Sequence, residues 1–179
     1  GFSLKNLVNG ESILKAQPQS TVTFVENHDL RDEGRPITND KLLAYSYILT
    51  HEGYPCVFWK DYFNYNLALR DTPNGIDALV GVHEKYAGGD ISTLYLSDDL
   101  YIMQRGGYGN QPGLIYVLNN HGERWQGEWV ITRWTNASFQ PVAWWSKNDL
   151  SRPVEQSTSS DGRGQFFAPP RGYAVYALK

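Results

Sequence analysis

An α/β region followed by an antiparallel β-sandwich is the fold class that this sequence predicts, and three observations carry it. Thr21-Val22-Thr23-Phe24-Val25 is β-branched or aromatic throughout, as a strand prefers, and it stops on four polar residues, Glu26-Asn27-His28-Asp29. A helical pattern from Thr38 to about His51 is followed by a second apolar run, Pro55-Cys56-Val57-Phe58-Trp59, so the order is strand, helix, strand. Beyond Ser97 the helical periodicity is replaced by short strand-like runs separated by turns.

Each element has a local reason. Leu4, Leu7 and Val8 fall at helical spacing, Asn9-Gly10 stops them, and Ile13 and Leu14 are expected to pack that short helix down. Gln17-Pro18-Gln19-Ser20 is a turn into the first strand. That strand ends on a carboxylate, an amide, an imidazole and a second carboxylate. Such an ending is either an ordinary polar turn or a barrel strand opening onto an active-site face. Asp29 to Pro36 follows as a charged loop, with five of its eight residues ionisable. Thr38 or Asn39 is the expected N-cap of the next helix, with Asp40 in its first turn.

That helix is apolar nearly all round, which predicts cover on most sides. Gly53 and Pro55 end it. The run from Pro55 to Trp59 shows no alternation and reads as a fully buried parallel strand, with Cys56 as an inert buried thiol. Trp59 either packs at the rim of the strand end or presents its ring face for stacking. Thr72-Pro73-Asn74-Gly75 is a turn. Ile76, Leu79, Val80 and His83 then share a helix face that continues to Tyr86 and Ala87 and ends at Gly88-Gly89. His83-Glu84 lacks a second His four residues on, so it reads as a helix-surface pair and not a metal site.

The tail holds strand-like runs at Leu100–Gln104, Leu114–Leu118, Glu128–Arg133, Pro141–Trp144, Gln165–Ala168 and Tyr173–Leu178. Gly106-Gly107, Asn119-Asn120, Asn148-Asp149 and Asp161-Gly162 punctuate them, which reads as a β-sandwich or Greek key. Trp125, Trp129, Trp134, Trp144 and Trp145 cluster there, and alternation along the strands explains several of them as core and rim packing.

Bulk properties narrow the function. The 179 residues allow one or two domains, and a hydrophobic share of 41% is enough for a core. The net charge of −3 offers no basic patch for nucleic acid, and no apolar run is long enough to span a membrane. The single cysteine forms no internal disulfide. The one methionine is Met103 and no signal-peptide pattern stands at Gly1, so the chain is expected to be a processed product or a piece of a longer one.

Phe24-Val25-Glu26-Asn27-His28-Asp29 resembles the Phe-x-x-Asn-His-Asp motif that ends the seventh barrel strand in the α-amylase family of glycoside hydrolases. Gly53-x-Pro55-x-x-Phe58 followed by Asp61 resembles that family's eighth strand, with Trp59 and Lys60 departing from its usual form. Phe166-Phe167-Ala168-Pro169-Pro170-Arg171-Gly172-Tyr173 resembles the closing part of its C-terminal domain. The resemblance implies the C-terminal portion of a TIM (β/α)8 barrel in residues 1–96 and an antiparallel β-sandwich domain in residues 97–179.

The resemblance also implies roles. Asp29 would be the carboxylate that stabilises the transition state, and His28 would donate a hydrogen bond to the sugar being cleaved. Glu26 and Asn27 would position them and the strand end, and Trp59 would stand on the substrate side. Retaining hydrolysis needs a nucleophile and an acid/base carboxyl about 5–5.5 Å apart. In the family these lie on the fourth and fifth strands, which nothing here resembles. Asp61 and Glu84 are other carboxylates with no feature that recommends them.

The implied function is thus part of an α-amylase-type enzyme acting on α-1,4-glucans such as starch, inactive without the N-terminal portion carrying strands one to six. Secretion would suit such an enzyme. Calcium is typical of the family, with ligands expected outside this chain. Asp32 stands where chloride-activated members carry Arg, so no chloride site of that type is expected. The alternative is a non-catalytic carbohydrate-binding or accessory module resting on the tryptophan-rich tail.

Overall fold

The computed structural model describes residues 2–32 and 34–179, the side chain of Asp32 excepted. Glu33 of the charged loop and the side chain that bears on the chloride expectation lie outside the described residues.

The first half is a parallel strand pair backed by helices. Two short helices, α1 (Lys5–Asn9) and α2 (Ile13–Ala16), lead into β1 (Val22–Phe24). A helical turn, α3 (His28–Asp32), follows, then α4 (Lys41–Thr50) and β2 (Tyr54–Cys56). After a π-helical turn at Lys60–Asn64 comes α5 (Ile76–Tyr86). β1 and β2 pair in parallel with Phe24 opposite Cys56, as a strand–helix–strand unit requires. Pro55 and Thr23 face the helices, whereas Val22, Phe24, Tyr54 and Cys56 all point to the other, uncovered face.

Several expectations are corrected here. Cys56 is exposed, because no element among the described residues covers that face of the pair. The strand expected to reach Trp59 stops at Cys56, since the chain turns so that Asp61 can be buried. α4 begins at Lys41, not Thr38: Asp40 is its N-cap residue, sits in the left-handed region at φ +55°, and gives its carboxylate to Arg171 instead of capping the helix. Ile13 is exposed and does not pack α1 down. On α5 the buried positions are Ile76, Leu79 and Val82, and His83 is half-buried: its Nδ1 lies 3.1 Å from the Leu49 carbonyl, joining α5 to the end of α4.

The second half is antiparallel. β3 (Ile91–Leu96), β4 (Leu100–Arg105), β5 (Leu114–Asn119), β7 (Ser138–Ser146), β8 (Gln156–Ser157) and β10 (Gly172–Leu178) form one sheet in the order β3-β4-β5-β10-β7-β8. β6 (Gln126–Ile131) and β9 (Arg163–Ala168) form a two-stranded ribbon packed on it. The strand β3 escaped the sequence reading, so the sheet begins at Ile91.

The central strands of the large sheet are buried on both faces, and alternation sorts their side chains. Tyr101, Met103, Leu114, Tyr116, Tyr173 and Val175 face α4 and α5 in one core. Ile102, Ile115, Val117, Phe139, Ala174 and Tyr176 face the ribbon in the other, where Phe139, Phe166 and Tyr176 meet edge-to-face. β4, β5 and nearly all of β10 are therefore buried without interruption.

Asn119, read from sequence as a turn residue, is a buried polar linchpin. Its Nδ2 faces the carbonyls of Arg124, Ala168 and Pro169 at 2.9–3.2 Å, and its Oδ1 accepts from the His121 amide at 3.0 Å. Asn119→Ala leaves those buried groups without partners and is expected to cost about 2–3 kcal/mol. A urea midpoint lowered at unchanged slope checks this, and a change under about 0.5 kcal/mol refutes it.

Candidate functional site

The site is built at the carboxyl ends of the parallel pair. Past Phe24 the chain does not run on as a strand. The Asn27 side chain accepts from the Leu30 amide at 3.0 Å and so starts α3, with His28 and Asp29 in its first turn. Asn27 is thus a cap. His28 and Asp29 project to solvent, with side chains 75% and 73% exposed, and the His28 Nε2 lies 3.2 Å from an Asp29 oxygen.

Glu26 takes the opposite course. It is 2% exposed and its carboxylate turns back against α4, where the Lys41 ammonium donates to Oε2. Oε1 faces the Arg31 guanidinium at 3.6 Å, a charge contact rather than a hydrogen bond. The same Lys41 donates to Asp61, which is fully buried just beyond β2. Tyr45 completes the group: its hydroxyl donates to the other Asp61 oxygen at 2.7 Å and accepts from the Phe58 amide at 3.3 Å. Burial, then the hydrogen bond to Asp61 and its charge, hold the Tyr45 phenol well above its ordinary range. Two carboxylates, Glu26 and Asp61, thus share one buried ammonium, with Arg31 at the rim.

The Tyr65 ring lies against both cations, 4.7 Å from the Arg31 guanidinium carbon and 5.2 Å from the Lys41 nitrogen. Beside the cluster opens a cavity of about 360 Å³ bounded by Arg31, Ile37, Lys41, Tyr65 and, from the antiparallel domain, Trp145. That domain also reaches the site through Arg171, whose guanidinium donates twice to Asp40, at 2.7 and 3.2 Å, and to Asn120 at 2.8 Å.

The five residues singled out by sequence are therefore divided. Asp29 and His28 stand together at an open strand end, Asn27 supports them from below, and Glu26 is withdrawn into the protein. Trp59 is 67% exposed and packs on Phe63, with ring centroids 4.1 Å apart, so it plugs nothing within this chain. Sequence reasoning missed Lys41, Tyr45 and Arg31. One signal was available: Lys41 is the only charged residue of an otherwise apolar helix, a costly place for a charge without partners. Among the described residues no three His, Cys, Asp or Glu side chains converge to hold an ion, so the calcium that the resemblance implies finds no ligand set here.

In class, this is a strand–helix–strand unit that presents polar residues at its strand ends and is braced by an antiparallel β-sandwich. Residues 114–177 match the family model described as alpha-amylase C-terminal. An alpha-amylase of Geobacillus stearothermophilus is 35% identical over 63% of this chain. A glucan 1,4-alpha-maltohexaosidase of Bacillus sp. (strain 707) is 35% identical over 99% of it. The chain spans 21% and 35% of the lengths of these two relatives. Among solved structures, a cyclomaltodextrin glucanotransferase with a three-domain ABC distribution shares the fold at a TM-score of 0.67 and 20% identity, over 100% of this chain and 41% of that one. The gamma-CGTase from alkalophilic Bacillus clarkii does so at 0.71 and 17%, over 99% and 29%. The chain belongs to the α-amylase family of glycoside hydrolases and corresponds to its C-terminal part, ending in the family's β-sandwich domain.

Proposed function

We propose that this chain is the portion of an α-amylase-type retaining glycosidase that supplies the transition-state-stabilising carboxylate, Asp29, for cleavage of α-1,4-glucosidic bonds in starch-like glucans. One observation carries the reading: Asp29 and His28 stand free and paired at the carboxyl end of a parallel strand whose Glu26 neighbour is locked away. Oxocarbenium charge develops on the sugar in the transition state, and a fixed carboxylate binds that charge better than it binds the neutral ground state. The His28 ring, held toward Asp29, would donate to a hydroxyl of the same sugar. Asn27 holds the turn that presents both, and Trp59 offers an exposed face for a neighbouring ring.

Residues up to about 90 would be the last two β/α units of a (β/α)8 barrel. The uncovered face of Val22, Phe24, Tyr54 and Cys56 supports this, since parallel sheets are covered on both faces. The partner that covers it would be the N-terminal portion of the same enzyme, with strands one to six, the nucleophile and the acid/base. Secretion would suit an enzyme acting on a glucan polymer outside the cell. Calcium, where the enzyme uses it, would be held by that other portion.

The test is reconstitution. The chain alone should release no reducing sugar from starch, and the chain complexed with the portion bearing the first six strands should. A complex that contains those strands and stays inactive sinks the reading. The second reading, a carbohydrate-binding module, draws on one residue: Trp129 on the outer face of the ribbon is 52% exposed. It leaves the arrangement of His28 and Asp29 without a purpose.

A further inference from the structure

We infer that Lys41 is the positioning residue for Asp29, acting through Glu26. The inference rests on the reading of Asp29 given above and deepens it.

Among the described residues Asp29 has no anchor beyond its neighbour His28. Its side chain is exposed and, among the described residues, pairs with His28 alone, so its place is set by the backbone that carries it. That backbone is a short loop with both ends hung on one carboxylate. The loop starts at Glu26 and leaves at Arg31, which faces Glu26 Oε1 at 3.6 Å. Between them the Asn27 cap closes the turn. The position of the whole loop therefore depends on what holds Glu26, and that is the Lys41 ammonium on the first residue of α4.

The same ammonium fixes the second strand end. Its bond to Asp61 holds the chain leaving β2, and Tyr45 locks Asp61 from the other side while taking the Phe58 amide. One lysine thus ties together the carboxyl ends of both parallel strands. It does so under dry conditions: its side chain is 11% exposed and those of Glu26 and Asp61 not at all. An ammonium can donate three hydrogen bonds, and two go to carboxylates here. A single buried link holds its geometry far better than a solvated one, because water does not compete for its partners.

The link is also braced from the antiparallel domain. Asp40, the residue before Lys41, is gripped by Arg171, and both sit at positive φ, +55° and +46°, in the turns that bring them together. The start of α4 is therefore fixed on the side of the sandwich and on the side of the strands. This gives the β-sandwich a definite part in the site: it holds the platform from which Lys41 reaches Glu26.

The experiment is kinetic and is done on the intact enzyme. Lys41→Met should lower kcat about 100-fold with KM within about twofold, the signature of a misplaced stabilising group. Because Lys41→Met also strands two buried carboxylates, its fold is expected to weaken. The deciding variant is therefore the triple Glu26→Gln, Lys41→Met, Asp61→Asn, which removes all three charges together. A triple variant with a restored melting temperature and a kcat still about 100-fold down supports positioning. One that regains both melting temperature and kcat overturns it and leaves Lys41 as charge balance alone. Asp29→Asn, measured in parallel, separates the two claims. Full activity there sinks the reading of Asp29, whereas an inactive Asp29→Asn beside a fully active triple variant sinks only the role of Lys41.

Discussion

Replacing Asp29 with asparagine is expected to lower kcat on starch about 1,000-fold in the intact enzyme, equivalent to about 4 kcal/mol of lost transition-state stabilisation. The size follows from where the charge stands. Asn has the same shape and keeps the contact with His28, so the substrate should still find its hydroxyl partners in the ground state. What is lost is the negative charge facing a sugar that becomes positive only as its bond breaks. KM and starch affinity should therefore move little. Stability should move little too, because the Asp29 side chain is 73% exposed and buries no charge. Any loss comes from the small favourable effect of an acid in the first turn of α3, below about 1 kcal/mol. The measurement is kcat and KM on soluble starch beside a thermal melt. A variant within about threefold of the parent, with its fold intact, would mean that Asp29 does not act on the transition state. The carbohydrate-binding reading demands that outcome, so one substitution decides between the two.

The site was partly legible because chemistry forces some residues into recognisable company. Four polar residues close an apolar strand, and the structure leaves two of them, His28 and Asp29, exposed at its end. Glu26 belongs to the same string and behaves differently, and nothing in its neighbours along the chain says so. Its partner Lys41 is 15 residues on and Asp61 lies 20 beyond that, so the ion cluster exists only after the strands pair. Sequence periodicity reports which face is apolar, not which charge a buried face has chosen.

The fold errors have the same origin. Pro55 to Trp59 has the composition of a buried strand, yet the strand ends at Cys56 because Asp61 must reach Lys41 and Tyr45. β3 went unseen because Ser92 and Thr93 interrupt its apolar pattern, and its place at the sheet edge tolerates them. The central strands were found readily, since β4, β5 and β10 are covered on both faces and say so in every residue.

A second expected result concerns acid. His51 should make the protein's stability fall by about 2 kcal/mol between pH 7 and pH 5, over and above what its other groups do. The ring is 3% exposed and stacked on Tyr47 with centroids 3.7 Å apart. Its Nδ1 lies 2.7 Å from the Tyr47 carbonyl and therefore carries the proton. Its Nε2, 3.1 Å from the Tyr101 hydroxyl, is then the acceptor. Protonation would add a charge in a dry site and aim a second N–H at a hydroxyl that already points its hydrogen there. Burial pushes the His51 pKa down to about 3, the bond to the Tyr47 carbonyl opposes this, and the nearby Arg105 charge adds to it. In the unfolded chain the ring titrates near 6.5. Between those values the unfolded state binds the extra proton and the folded state refuses it, so stability drops as pH falls through the window. Above about pH 6.5 both states are neutral and the effect vanishes. The slope approaches about 1.4 kcal/mol per pH unit, which gives the 2 kcal/mol quoted to pH 5.

Comparison with His51→Gln isolates this contribution, because His28, His83, His121 and the carboxylates are common to both proteins and cancel in the difference. At pH 7 the variant should be the less stable of the two, having lost the stack and a fitted pair of hydrogen bonds. The gap should then narrow by about 2 kcal/mol by pH 5, read from urea midpoints at each pH. Parallel curves for the two proteins would show that the folded state accepts the proton as readily as the unfolded one. That would contradict the dry environment of the ring, in which the Tyr47 carbonyl accepts from Nδ1 and the Tyr101 hydroxyl donates to Nε2.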